Sequence, residues 1–290
     1  MPVRVDGAPV APAESSSPRG VNTVVVVVGA VIAAAVIGIL VGVLIVRPGA
    51  GPSTTPPADQ PPAVVEALPR SSIVAGGGGL SNVYELPTGY PKTTDGAVQA
   101  AMNFFIVDTG PAYYDQVHYE AIQAYMFASP EARASMEYGQ ATVDAMRKTY
   151  GVNDQGQPLT NGRPDPTKRI WDALYLQYGA YRIVEASPTE VRVMMWAPFV
   201  YGVDAANATT STKLHIGWAY ADKTVTWVNG DWRLSGNKAY PPSEVPKPAD
   251  PQQVVTSYAE RADLLGIDKG WTLPANAAEA DIPELQLPGK

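Results

Sequence analysis

Cysteine is missing from all 290 residues. That removes disulfides, zinc–thiolate centres and thiol nucleophiles together. Histidine is almost as scarce, with only His118 and His215, so a histidine-rich metal site is short of ligands. An excess of positive charge is also absent. Residues 1–79 carry four arginines against four acids, so the whole formal charge of −7 falls in residues 80–290. A domain so acidic lacks the basic footprint that phosphate contacts require, and direct nucleic-acid binding is not expected. Without disulfides the exported part must rely on a hydrophobic core, for which about 200 residues are ample.

Several chemical signatures are missing as well. The four glycines at 76–79 lack a Gly-Lys-Ser/Thr ending and follow no predicted strand, so they read as a linker and not a phosphate loop. No Gly-x-Ser-x-Gly elbow occurs, and acids such as Asp263 and Asp268 are too scattered for a calcium loop.

What the chain does have begins with an apolar run. Residues 24–46 read VVVVVGAVIAAAVIGILVGVLIV, without a charge. At ~1.5 Å per residue a helix of this length crosses a ~30 Å hydrocarbon core. Lipid cannot satisfy the backbone of a lone strand, so the β-branched bias does not argue against a helix. The run exceeds the ~7–15 apolar residues of a cleaved signal peptide, and no small-residue cleavage site precedes Arg47. A retained single-pass anchor is expected, after a short tail at 1–23. Gly38 and Gly42 form a GxxxG pattern, read either as a helix-packing face or as ordinary glycine usage in such helices. Arg4 and Arg19 precede the span and Arg47 follows it, which leans towards a cytoplasmic N-terminus and an extracytoplasmic C-terminal domain.

Residues 47–79 hold seven prolines and six glycines, a composition that builds a stalk and not a core. Beyond it, residues 80–240 predict an α+β domain. Thr93-Thr94-Asp95 precedes apolar rows at Ala97, Ala101 and Phe105 and at Val98 and Met102, which is helical spacing with a cap. A shorter helix is expected over 115–127. Ser129-Pro130-Glu131 then starts a third, whose buried stripe is Ala132, Met136, Val143, Met146 and Tyr150. Residues 153–167 read as a surface loop. The period then falls to 2 over 175–184, 190–199, 213–220, 225–228 and 231–234, which predicts a curved antiparallel sheet. Asn229-Gly230 between alternating apolar residues marks a tight hairpin. Residues 241–290 add a C-terminal helix signalled by Asp250-Pro251 and ending near Gly266, then a tail from Trp271 without strong periodicity. The expected architecture is a transmembrane helix, a cone of three helices on the concave face of the sheet, and a C-terminal helix.

The hairpin Trp227-Val228-Asn229-Gly230-Asp231-Trp232-Arg233-Leu234 resembles the end of the cystatin-like cone found in relatives of nuclear transport factor two. More residues extend the likeness: Gly89-Tyr90-Pro91, Gly96-Ala97-Val98, Ser129-Pro130-Glu131-Ala132-Arg133, Tyr181-Arg182-Ile183-Val184 and residues 191–196. Together they are similar to single-pass proteins of actinobacterial conjugative and integrative elements, over roughly residues 88–236. The layout also resembles the bitopic scaffold subunits of type IV secretion and Gram-positive conjugation machines, such as the TcpC-like proteins. The resemblance implies a non-enzymatic scaffold or channel component acting through protein–protein contacts, with no cofactor and no catalytic or metal-binding residue to carry over. Its partners would be further copies or other secretion-apparatus subunits. The stalk is more proline-rich than that pattern, and only one cone is visible.

The residues offer little chemistry of their own. Asp115 and His118 can share a helix face, yet a metal would lack further ligands. His215 would need Asp222 or Asp231 within hydrogen-bond reach to act as an acid or base. Asp172, Tyr175, Tyr178 and Tyr181 are pocket candidates, with sheet packing as the plainer reading. Trp196, Trp218, Trp227 and Trp232 fall within a short length of predicted sheet. Three helices cover only one sheet face, so these four tryptophans are the candidate interface on the other. The alternative function is an extracytoplasmic small-ligand module, or an enzyme, using the concave pocket.

Overall fold

Asn229 and Gly230 adopt φ of 53° and 82°, the pair of positive angles of a type I′ turn. The computed structural model describes residues 68–76, 81–83, 86–108, 110, 114–135, 140–205, 215–237, 246 and 257–282. The expected anchor at 24–46, the tail before it and the stalk up to residue 67 lie outside the described residues. No described helix is long and apolar enough to cross a membrane.

A short hairpin, β1 (Ser81–Val83) with β2 (Leu86–Thr88), leads into α1 (Thr94–Asp108). Thr93 caps α1 by accepting a 3.0 Å hydrogen bond from the Gly96 amide. Then come α2 (Gln116–Met126), α3 (Pro130–Ser135) and α4 (Gln140–Tyr150). The single third helix expected over this region is thus described as two segments. Its expected stripe residue Met136 lies outside the described residues. A small hairpin, β3 (Leu159–Thr160) with β4 (Arg163–Pro164), stands in the expected surface loop.

The main sheet comprises β5 (Lys168–Leu174), β6 (Ala180–Ala186), β7 (Glu190–Ala205), β8 (His215–Val228) and β9 (Asp231–Asn237). It is antiparallel throughout, which with the helices makes the fold α+β with a curled sheet. The long strand β7 organises it. One edge of β7 pairs with β5 over residues 199–205 and with β6 over 191–196, while its other edge pairs with β8. Between β5 and β6 the chain makes a single 3₁₀ turn, Leu176–Tyr178. There Gly179 lies so close to β7 that a Cβ would sit 2.3 Å from the Trp196 carbonyl oxygen. Only glycine fits that approach. Strand β5 was not anticipated, and the two expected strands at 213–220 and 225–228 are one.

Alternation along β7 and β8 divides two cores. Val191, Val193, Met195, Ala197 and Phe199, with Ala219, Ala221 and Val225, face the helices. Helix α1 is buried almost all round, including Gln99, Asn103 and Asp108. Met194 and Trp196, with Ala180, Trp218 and Tyr220, point the other way. That second face is not bare. Helix α5 (Tyr258–Leu265) and the segment after it cover it, with Trp271 at 1% and Leu273 at 4% exposure. The aperiodic tail from Trp271 is thus packed onto the body over 271–282. Those residues lack periodicity because single anchors, not a helix face, hold them down. Leu68 and Ile73, assigned to the stalk by composition, are buried against the same body.

Trp271→Ala should therefore destabilise the fold by about 3–5 kcal/mol. Urea denaturation followed by circular dichroism measures this, and a loss below about 1 kcal/mol would mean that the tail merely rests on the sheet.

Candidate functional site

Inside the helix-lined core one ionic pair stands among apolar side chains. Lys223 Nζ lies 2.5 Å from Asp108 Oδ2, with side-chain exposures of 1% and 0%. Asp108 is the last residue of α1, where the helix dipole disfavours a negative charge. Lys223 offsets it from the core-facing side of β8. The neighbouring residue, Asp222, points to the opposite sheet face, as strand alternation requires. Arg192 grips it in a fork, Nε at 2.8 Å from Oδ1 and Nη2 at 2.5 Å from Oδ2. The hydrogen bond to Asp222 outweighs desolvation and raises the proton affinity of Arg192 above its ordinary value. Two adjacent residues thus send opposite charges into opposite cores, and each meets its counter-charge.

A second polar cluster secures the hairpin. Asp231 accepts from the amides of Gly89 (2.7 Å), Tyr90 (3.0 Å) and Trp232 (2.9 Å), and from the Tyr125 hydroxyl. Tyr90 donates from its hydroxyl to the Pro87 carbonyl at 2.8 Å and accepts from Asn103 Nδ2 at 2.7 Å. Burial, chiefly, pushes the Tyr90 pKa up, against the lowering effect of Asn103. It keeps its proton at neutral pH and serves as a strut. The Arg233 guanidinium lies 3.5 Å from the centre of the Tyr125 ring.

The openings of the described surface include a groove and a cleft. A groove of about 740 Å³ runs along β5, lined by Pro158, Pro166, Arg169, Ile170 and Trp171 among others. The Arg169 guanidinium stacks 3.4 Å above the Trp171 ring. A cleft of about 390 Å³ lies beside the hairpin, between Phe127, Arg133, Asn229 and Arg233.

Trp196 and Trp218 stack in parallel, ring centres 3.9 Å apart and planes at 1°. They are 0% and 3% exposed beneath the C-terminal segment. Trp232 is 1% exposed in the other core. These three do not offer the open interface expected of them: the C-terminal segment covers Trp196 and Trp218 on the second sheet face, and Trp232 is packed in the helix-lined core. Trp227 differs. Half-buried at the sheet margin, it meets Trp232 edge-on at 5.5 Å, and the Lys92 ammonium lies 5.6 Å from its ring centre.

Among the described side chains the pocket candidates are not brought together into an acid–base site. Asp172 and His215 each pair in register with Tyr201 and so occupy one rung of the sheet. Asp222 stands seven positions beyond His215 on β8, roughly 20 Å away at ~3.3 Å per residue, and its carboxylate is held by Arg192. Asp231 is committed to backbone amides. Tyr175 precedes the 3₁₀ turn and Tyr178 ends it; burial first, and then the neighbouring Tyr178, pushes the Tyr175 pKa up to about 12. Tyr181 is buried, its backbone paired with Thr272. His118 Nδ1 lies 3.1 Å from Asp115 Oδ2 at the start of α2, as their spacing predicted. Among the described residues no group of three His, Asp or Glu is arranged to hold a metal.

No family model, curated protein or solved structure matches this chain. The likeness to cone-domain scaffold proteins therefore stands on the residues that carry it in the sequence.

The Asp108–Lys223 pair escaped sequence reasoning because its members lie 115 positions apart. A signal existed: Lys223 interrupts the core-facing series Ala219, Ala221 and Val225. Lys223→Met should cost about 3–5 kcal/mol by stranding a buried carboxylate, and adding Asp108→Leu should restore most of the loss. Denaturation of both single variants and the double measures the coupling; a double-variant loss equal to the sum of the two single losses would mean that the two charges act independently.

Proposed function

We propose that the chain is a non-enzymatic, membrane-anchored scaffold component of a conjugation-like or type IV secretion-like apparatus of an actinobacterium. In this reading residues 24–46 cross the cell membrane, the N-terminus is cytoplasmic, and the α+β domain, a cystatin-like cone, stands outside on its stalk. The anchor confines neighbouring copies to one plane and raises their effective concentration. The observation that carries the reading is the filled core between the helices and the curled sheet. Phe104, Phe105, Met102, Tyr119 and Met195 pack where a pocket would otherwise open, and the acid and base among them neutralise each other. A site so occupied suits a rigid spacer better than turnover. With three tryptophans spent on internal packing, contacts with a second copy fall to the margins of the sheet, at Trp227 beside the hairpin and at Ile183, which is 40% exposed on β6.

A second reading keeps one specific support. The groove along β5, with Trp171 and the stacked Arg169, is large enough for a small ligand. An extracytoplasmic binding module would use that groove, and the concave side of the sheet would remain its packed core. An enzyme of the same fold is the weaker variant of this alternative.

The full chain should pellet with membranes, resist alkaline carbonate extraction, and become extractable when residues 24–46 are deleted. In those membranes a photo-crosslinking residue at Trp227 or Ile183 should give an adduct of twice the chain mass. Extraction of the intact chain would sink the anchor, and adducts at neither position would move the weight to the ligand-binding reading.

A further inference from the structure

We infer that residues 68–76 and 271–277 form a mechanical clasp that resists tension between the stalk and the C-terminal end. Residues 271–273 are inserted between the sheet and the end of the stalk. On one side Thr272 exchanges both backbone hydrogen bonds with Tyr181 of β6, at 3.0 and 2.8 Å. On the other side Leu273 donates to Pro69 at 2.8 Å, Ser71 donates to Leu273 at 3.0 Å, and Ala275 donates to Ile73 at 2.6 Å. The Asn276 side chain continues the ladder, accepting from the Ala75 amide at 2.9 Å and donating to its carbonyl at 3.1 Å. The Arg70 guanidinium crosses the same seam. It donates to the carbonyls of Pro274 (3.2 Å), Ala275 (2.8 Å) and Ala277 (3.0 Å), and pairs with Glu279. Leu68, Ile73, Trp271 and Leu273 are buried along the inner side of the seam, while the Arg70 bonds to Ala275 and Ala277 and the Asn276 bonds lie on its exposed side.

The direction of the strands gives the seam its mechanical character. The bridge between Arg70 and Leu273 is parallel. The chain departs towards the stalk from the Leu68 end of one strand and towards the C-terminus from the Ala277 end of the other. Tension between those two points pulls two parallel strands from opposite ends. The bonds are then loaded along the strands and must slip together. Pulled from the same end, the same bonds would open singly, each breaking under the full load. Forced opening follows the height of the barrier and not the equilibrium stability, so one set of contacts yields two strengths according to the direction of pull. The source of such tension rests on the anchor reading above, but the resistance of the clasp does not.

The absence of cysteine makes engineered thiols unique handles for single-molecule pulling on the full chain in nanodiscs. Handles at Ser53→Cys and Gly289→Cys load the seam in shear, and handles at Ser53→Cys and Lys269→Cys load it as a zipper. At equal loading rate the first pair should rupture at severalfold higher force. Arg70→Ala should lower the shear force and leave the zipper force nearly unchanged. Equal rupture forces in the two geometries would overturn the clasp, a comparison that leaves every contact of the seam in place. An unchanged shear force in Arg70→Ala, in a variant whose circular dichroism shows it folded, would also count against it. Membrane fractionation decides the anchor separately.

Discussion

A strand covered on both faces obliges a chain to supply two covers. From Val191 to Val200 every residue of β7 except Arg192 is buried, and the rest of the molecule answers that demand. The helices occupy one side. The other is closed by α5, by Trp271 and Leu273, and by the last residues of what the composition marks as stalk. Charged groups obey the same rule. Asp222 and Lys223 cannot both face one core, so each is met on its own side, by Arg192 and Asp108. Neither pair is available for chemistry, since each charge is already spent on the other. Burying such pairs is seldom a net gain over apolar packing, whereas breaking one is costly. Their place at the middle of both layers therefore fixes register more than it adds stability.

Local chemistry made some of this readable in advance. The cap at Thr93, the proline start of α3, the Asn229-Gly230 turn and the Asp115–His118 pair each depend on residues a few positions apart, and each is present as read. The near-continuous apolar run of β7 was equally visible. Its meaning, a strand covered twice over, was the part overlooked, and with it the fate of Trp196 and Trp218. A count of aromatic residues cannot say which side of a sheet they occupy, nor what covers them.

What the sequence hid was non-local. Strand β5, KRIWDAL, carries two basic residues and an acid and finds its partner about thirty positions ahead in β7. The 271–282 segment is held by isolated anchors with no period. The cover brings Trp271 into one cluster with Trp196 and Trp218, 75 and 53 positions earlier, and the seam at Arg70 joins residues roughly 200 positions apart, separations that no windowed pattern spans. The groove along β5 follows from the same long-range pairing, because Trp171 and Pro158 meet only once β5 has docked.

The seam between the two ends of the fold also has a meaning in time. Leu273 cannot meet Pro69 until residues 69–273 have all left the ribosome, so the body is closed only after its sheet has been made. Until then the Trp196–Trp218 stack and its neighbours stand bare on an otherwise finished sheet, the kind of surface that aggregates or calls for a chaperone. Loop-closure entropy places this contact late in refolding as well. A chain cut short after residue 270 would keep its helices and strands and still lack Trp271 and Leu273 of its lid. Quality control during synthesis would then meet a sticky, nearly folded molecule in place of an unfolded one.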